Sequence, residues 1–424
     1  MDRYGDSTQK PRVHKAEVMD EISSWDYVIV GTGPAAAEAA VAIRELDNRG
    51  KLLMLGAERQ LPYQRPPLSK GLWTGKDTVE ELPLRSAAEW DGLSVQIHLG
   101  DAVIELDAGA RTLTSASGRI YRYERLLLAT GGRARQPELA IATLRDRVFT
   151  LRNFQDYERL QAAARPGLTV LVVGGGFLGA ELAAALSRQE GLKVHHAFAG
   201  NAPLAHVLPP TLQKVVLARY GKAGVQLHPQ HRLEGLDWED GSVRAHFTTQ
   251  APIACDLLVY ALGMESNLEL AQQAGLTLDK GGVLVNTELR SSDSRIWAAG
   301  DLATYPDPVW QEPCRLEHWD NAEATGRAAG RAMAGRSEPF RHQSLFFSDL
   351  FELGFEAVGR CDSQRVLRVA APPGGGKAVV YYGDGDWVEG VLLWNVWGKA
   401  DAAREGIAAH RPLMDLHWVE TLET

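Results

Sequence analysis

The 424-residue chain is short of cysteine: it has three, Cys255, Cys314 and Cys361, far apart and with no Cys-x-x-Cys among them. That spacing excludes a disulfide framework, a paired metal-binding signature and dithiol catalysis, so no metal site is expected and a reducing compartment fits. Long apolar runs are also missing. No stretch approaches the roughly 18 apolar residues that a membrane-spanning helix requires. Positive charge is in deficit, with a net charge of −9, which argues against nucleic acid as the main partner. Residues 1–24 lack an apolar segment and mix Arg3, Lys10, Arg12 and Lys15 with Asp2, Asp6, Glu17, Asp20 and Glu21. They resemble neither a secretory signal nor an acid-poor transit peptide. The expectation is a disordered leader on a cytoplasmic protein. The rest is ordinary for a protein with an ample core: 45% hydrophobic, 23% charged and 8% aromatic residues, in a length that suggests about three domains.

What is present begins with Leu168-Thr-Val-Leu-Val-Val173, an apolar β-branched run that breaks into Gly174, Gly176 and Gly179 and then into helix-forming residues. A strand, tight turn and helix start of this kind receives a pyrophosphate. The first glycine lets the chain reverse, the second lets backbone approach phosphate, and the third lets helix pack on strand. The helix N-terminus adds unpaired N–H groups and a positive dipole. Phe177 and Glu181 follow, one at the mouth of the turn and one a helical turn further on. A second such unit starts at Trp25: Gly31 and Gly33 occupy the first two glycine places, Pro34 and Ala35 lead into the helix, and Ala36 stands in the third place. The strand from Lys51 to Leu55 then leads to Glu58, positioned to accept hydrogen bonds from a ribose. Two turns in one chain imply two dinucleotides, FAD in one domain and NADH or NADPH in the other.

Between the turns lies Leu61-Pro-Tyr-Gln-Arg-Pro-Pro-Leu-Ser-Lys-Gly-Leu-Trp73, held extended by its prolines. It carries Arg65, Ser69 and Lys70 as donors toward a flavin. An ammonium at Lys70, near the flavin N5 and C4 carbonyl, would stabilise negative charge developing there. Ala129-Thr130-Gly131 forms a strand exit from the first domain, and residues 145–167 are expected to be helical on the way to the second. The strand Lys193 to Ala199 ends in Phe-Ala-Gly-Asn, without an acid for a ribose 2′-hydroxyl or a base for a 2′-phosphate, so NADH versus NADPH stays open. His195 and His196 alternate to opposite faces of that strand. A second exit runs from Cys255 to Gly263, and Asn286 to Asp301 returns the chain to the first domain, placing Gly300 and Asp301 at the cofactor. From Phe340 aromatics cluster, and most of Trp387, Trp394 and Trp397 are expected in the core and interfaces. The fold class is therefore α/β, with two Rossmann-like dinucleotide-binding domains and a C-terminal α+β domain. Its expected boundaries are 25–145 with 267–339 for FAD, 146–266 for NAD(P), and 340–424.

Together the two turns, the Pro-Pro-Leu-Ser-Lys segment, Ala-Ala-Gly-Asp301 and His342-Gln-Ser-Leu-Phe-Phe-Ser-Asp-Leu350 resemble the glutathione-reductase-like flavoproteins and, within them, the apoptosis-inducing-factor family, from about residue 25 to 410. The resemblance implies an ion pair between Lys70 and Glu181 beside the isoalloxazine, with Phe177 gating the nicotinamide. It implies flavin contacts at Gly31, Gly33, Glu58, Arg65, Val103, Thr130, Arg152 and Asp301, and nicotinamide contacts at Leu178, Gly263, Glu317, His318, Glu356 and Asn395. Three departures stand out: Phe347 replaces a family tryptophan, Gly200 replaces the ribose-binding acid, and residues 371–377 replace a long insertion. The implied activity is transfer of a hydride from nicotinamide C4 to flavin N5, then of electrons to quinone, oxygen or a protein. The alternatives are a ferredoxin reductase of an oxygenase system and a binding protein that forms a homodimer on reduction.

Overall fold

The computed structural model describes residues 22–138, 142–370, 376–385 and 387–423. Most of the expected leader, part of the 371–377 segment and Asp386 lie outside the described residues. The first sheet begins before the boundary expected at residue 25, because Ser23 and Ser24 already pair with Tyr121 and Arg122.

That sheet has at its centre β1 (Ser23–Val30), flanked by β2 (Leu52–Leu55) and then β3 (Val95–His98) on one side and by β6 (Ile120–Leu128) on the other, all parallel. Two further strands, β4 (Val103–Asp107) and β5 (Thr112–Ser115), continue it antiparallel, and Ile296–Ala298 pairs parallel to β6. Tyr27 to Val30 are buried in an unbroken run, as befits strands covered on both faces. The cover includes α1 (Pro34–Leu46), which opens on a proline whose missing N–H costs nothing at that place. Against α1 lies the helix Trp319–Met333 at backbone contact. A Cβ on Gly326 would sit 2.2 Å from the carbonyl oxygen of Ala35, and one on Gly330 2.3 Å from that of Ala39. This contact joins the returning C-terminal segment to the first domain.

The second sheet is parallel throughout, in the order Gln226–His228, Lys193–Ala197, Thr169–Val173, Leu257–Tyr260, Val148–Phe149. That last strand corrects the continuous helix expected over 145–167. Val148 and Phe149 add an edge to the sheet, and the helix starts only at Phe154, where Asn153 accepts a hydrogen bond from the Asp156 amide. The C-terminal domain is a five-stranded antiparallel sheet from Leu345 to Trp394, backed by the helices Ala400–Ala408 and Leu416–Glu423. Trp394 is buried there, whereas Trp387 and Trp397 are 56% and 54% exposed, contrary to expectation. Period-two alternation alone does not tell an inward strand end from a solvent-facing one. Among the described residues no helix is long and apolar enough to cross a membrane.

Candidate active site

Both glycine turns obey the same steric rule. Gly31 (φ +124°) and Gly174 (φ +134°) each sit where a Cβ would lie 2.1 Å from a carbonyl oxygen, that of Ala129 and of Ala261 respectively. A Cβ on Gly179 would lie 2.0 Å from the oxygen of Gly174. Gly33 and Gly176 differ: their φ angles of −85° and −80° suit any residue, and a Cβ there would meet nothing within 4 Å. Neither backbone nor packing asks for glycine at these two helix starts. A phosphate approaching the N–H groups does, so the residues present fit two pyrophosphates.

One cavity of about 1260 Å³ runs past both turns. Its walls include Gly33, Pro34, Ala35, Glu58, Val103, Ala129, Thr130, Gly131 and Gly300, and, at the other turn, Gly176, Phe177, Leu178 and Gly263. Glu58 is fixed from below, accepting a hydrogen bond from the Tyr63 hydroxyl on one oxygen and from Arg65 on the other, both 2.6 Å. A carboxylate has about four acceptor sites, so those facing the cavity stay open to a ribose. Arg65 also donates to the carbonyl oxygen of Arg152 (2.7 Å), and Arg152 is ion-paired with Asp301. Asp301 lies on the cavity wall with Arg152, which the family resemblance names as a flavin contact; the pairing of the two was not foreseen.

At the meeting of the two halves is a buried charge cluster. The Lys70 ammonium lies 3.1 Å from Glu181 Oε1 and 3.0 Å from Asp349 Oδ2, with the Phe347 ring centre 4.5 Å away. Glu181 is 8% exposed and Asp349 53%, so the cluster reaches from the interior to the surface. Ser69 donates to Glu181 Oε2 (2.7 Å) and Ser348 to Oε1 (2.9 Å). Burial lifts the Glu181 carboxyl above the usual carboxylate range, and the ammonium and the two hydroxyls oppose that lift. Ser348 and Asp349 were not expected as site residues. Their signal was present in the Phe-Phe-Ser-Asp string, but nothing local indicates that the strand Leu345–Leu350 crosses Lys70.

Beside the cluster stands Phe177, edge-on to His206, His318 and Phe346 at 5.9, 6.1 and 5.7 Å. His318 stacks on Phe346 at 5.0 Å. Glu317 is paired with Arg315 at 2.8 Å and also lines the cavity. Glu356 and Asn395 do not line it. Glu356 is the cross-strand partner of Phe347, and Asn395 accepts a hydrogen bond from the Gly354 amide at 2.8 Å, stapling two strands together. Burial pushes the Cys255 thiol up to about 12 and Cys314 up to about 11. None of the three cysteines lines the cavity.

The buried imidazoles carry a pH consequence. His196 and His318 are both pushed down to about 4 from 6.5 by burial. Between those values the unfolded chain binds more protons than the folded one, so stability is complete above about 6.5 and falls as pH drops toward 4. Thermal melts at pH 7.5 and 5.0 should show a lower midpoint at pH 5.0. An unchanged midpoint would contradict the burial of neutral rings.

Comparison with known proteins places the chain in a family. Residues 25–326 match the family described as pyridine nucleotide-disulphide oxidoreductase. The chain belongs to that family. Residues 329–371 match the C-terminal domain described for mitochondrion-associated apoptosis-inducing factor. Among similar proteins, apoptosis-inducing factor 1 of Dictyostelium discoideum is 30% identical, over 95% of this chain and 82% of the relative. The ferredoxin–NAD(+) reductase component of the Burkholderia cepacia anthranilate 1,2-dioxygenase system is 31% identical, over 92% and 95%. A solved covalent complex of putidaredoxin reductase with putidaredoxin superposes with a TM-score of 0.84 at 27% identity, over 92% of this chain and 94% of that one. This pyridine nucleotide-disulphide oxidoreductase is an FAD-dependent NAD(P)H oxidoreductase with the two-Rossmann fold. The family's name refers to a disulphide, yet this member's cysteines stand away from its cavity.

Proposed function

We propose that the chain oxidises NAD(P)H through FAD and hands the electrons to a protein acceptor. The observation that carries this reading is the Lys70–Glu181 pair, buried at the point where one cavity joins the two nucleotide turns. FAD, when bound, supplies the acceptance of a hydride and the later release of electrons. The chain's own residues do the rest. Glu58, Arg65 and the Arg152–Asp301 pair hold the first dinucleotide by its ribose and ribityl hydroxyls. Glu181, kept in place by Ser69 and Ser348, orients the Lys70 ammonium toward the cavity. Phe177, Phe346 and His318 form an aromatic wall that keeps water from the reacting face. The FAD-binding unit takes residues 23–145 and 267–339, and the NAD(P)-binding unit 146–266.

A protein acceptor is supported by the similarity to reductases that serve ferredoxin and putidaredoxin. A reducing compartment such as the cytoplasm suits three unpaired thiols. The test is anaerobic titration of the purified protein with NADH and then NADPH, following flavin absorbance. One flavin per chain, bleached by one equivalent of nucleotide, is expected. A protein purified without flavin, or one that neither nucleotide bleaches, would overturn the reading. A rise in molecular mass on adding NADH, without turnover of any added carrier, would favour the reduction-dependent homodimer instead.

A further inference from the structure

A second hollow of about 480 Å³ lies on the outer face, lined by Ser187, Arg188, Arg219, Lys222, Phe351 and Glu352, with Ala223. Glu352 is its one carboxylate, and Arg219 occupies both its oxygens at 2.6 and 2.9 Å. Arg188 and Lys222, both exposed, form no ion pair among the described residues, and Glu352, the carboxylate within electrostatic reach of Lys222, is already held by Arg219, in a chain whose net charge is −9. The helix that supplies Arg219 and Lys222, Pro210–Lys222, also carries Lys214 and has no acidic residue over its whole length, and its Val215 is 42% exposed.

The hollow is wired to the active site. Phe351, at the turn between the strands Leu345–Leu350 and Leu353–Gly359, holds a left-handed backbone (φ +64°) that an aromatic residue seldom adopts. It is kept there by the Arg219 guanidinium, 3.9 Å from its ring, and by Tyr220 at 5.1 Å. Strain of this kind gathers at functional surfaces. Tyr220 donates a 2.7 Å hydrogen bond to the carbonyl oxygen of Ala180, the residue before Glu181. The strand Leu345–Leu350 that ends beside Phe351 carries Phe346, Phe347, Ser348 and Asp349, and Phe347 to Leu350 spans only about 10 Å.

We propose that this cationic hollow docks an acidic one-electron redox protein, the acceptor of the reaction proposed above. The inference rests on that reading. One NADH gives two electrons and one proton, so two oxidised carriers each take one electron in succession, leaving NAD+, H+ and two reduced carriers. Phe351 supplies apolar contact within the hollow and Arg188 and Lys222 its charge, while Lys214 and the exposed Val215 extend that surface along the helix Pro210–Lys222, so that charge steers the partner.

The test uses the full-length holoprotein with NADH as donor and three acceptors: adrenodoxin, an acidic [2Fe–2S] protein; cytochrome c, a basic haem protein; and menadione, a small neutral quinone. Adrenodoxin reduction by the wild type should fall steeply as NaCl is raised from about 50 to about 300 mM. In the double variant Arg188→Glu/Lys222→Glu the KM for adrenodoxin should rise at least about tenfold and its salt dependence should vanish or invert, with menadione turnover and the thermal midpoint unchanged. Normal menadione turnover with adrenodoxin reduction indifferent to salt and to charge reversal would overturn the docking proposal alone. So would a wild type that reduces cytochrome c but not adrenodoxin. Loss of menadione turnover in the wild type would instead remove the underlying oxidoreductase reading, and the docking proposal with it.

Discussion

Replacing Lys70 with alanine should slow the reduction of bound flavin by NAD(P)H about 10²–10³-fold, and Glu181→Leu should fall in the same range. The argument is electrostatic. The ammonium is held by Glu181 at 3.1 Å in a site from which water is nearly excluded, so a charge fixed there before the reaction does more than the same charge in solvent. Glu181→Leu leaves the lysine with Asp349 alone, and because that residue is 53% exposed it draws the ammonium outward, away from the cavity. Flavin content should hold in both variants, since the groups that face the ribose and ribityl chain are elsewhere. Stopped-flow absorbance under anaerobic conditions reads the rate, and the spectrum of the resting protein reads the flavin. Loss of flavin in Lys70→Ala would mean that the residue anchors the cofactor and does not act on its charge.

The second large effect separates two kinds of glycine. Gly176→Ala should leave the thermal midpoint within a few degrees of wild type yet raise the KM for nucleotide by about tenfold or more, because the added methyl enters open space that a phosphate would occupy. Gly33→Ala should do the same to FAD, giving a folded protein purified largely without flavin. Gly31→Ala and Gly174→Ala should behave otherwise. Their methyl groups would lie 2.1 Å from a backbone carbonyl oxygen in a left-handed conformation, and both should lose several degrees of thermal midpoint or fail to accumulate as folded protein. If Gly176→Ala bound nucleotide normally, the pyrophosphate would not lie at that helix start.

These contrasts also explain how much the sequence told. The strand–turn–helix units were legible because three local signals coincide: an unbroken apolar run, glycines at fixed offsets and a helix-forming stretch. Glu58 and Asp301 were found for the same reason, each lying a short count from a recognisable strand. The partners of these residues were not legible. Arg152 meets Asp301 across 149 positions and Asp349 meets Lys70 across 279, and no local pattern encodes such separations. The 145–167 stretch was misread because Val148 and Phe149 are too few to look like a strand, and their role is set by the Leu257–Tyr260 edge they pair with. Of the three tryptophans mostly expected in the core and interfaces, only Trp394 is buried, and Trp397 stands half in solvent against Gly354. Glu356 and Asn395 entered through family resemblance, and the fold places them beside the cavity wall, where they brace the strand carrying Phe347 and its neighbour.

The claim on which the account stands is that Lys70 and Glu181 act as one unit. The most direct test is a double-mutant cycle on the single-turnover rate of flavin reduction, with Lys70→Ala, Glu181→Leu and the two combined. If Glu181 works only by holding the ammonium in place, the double variant should be no slower than Lys70→Ala alone. Losses that multiply in the double variant would show two independent contributions and contradict the account.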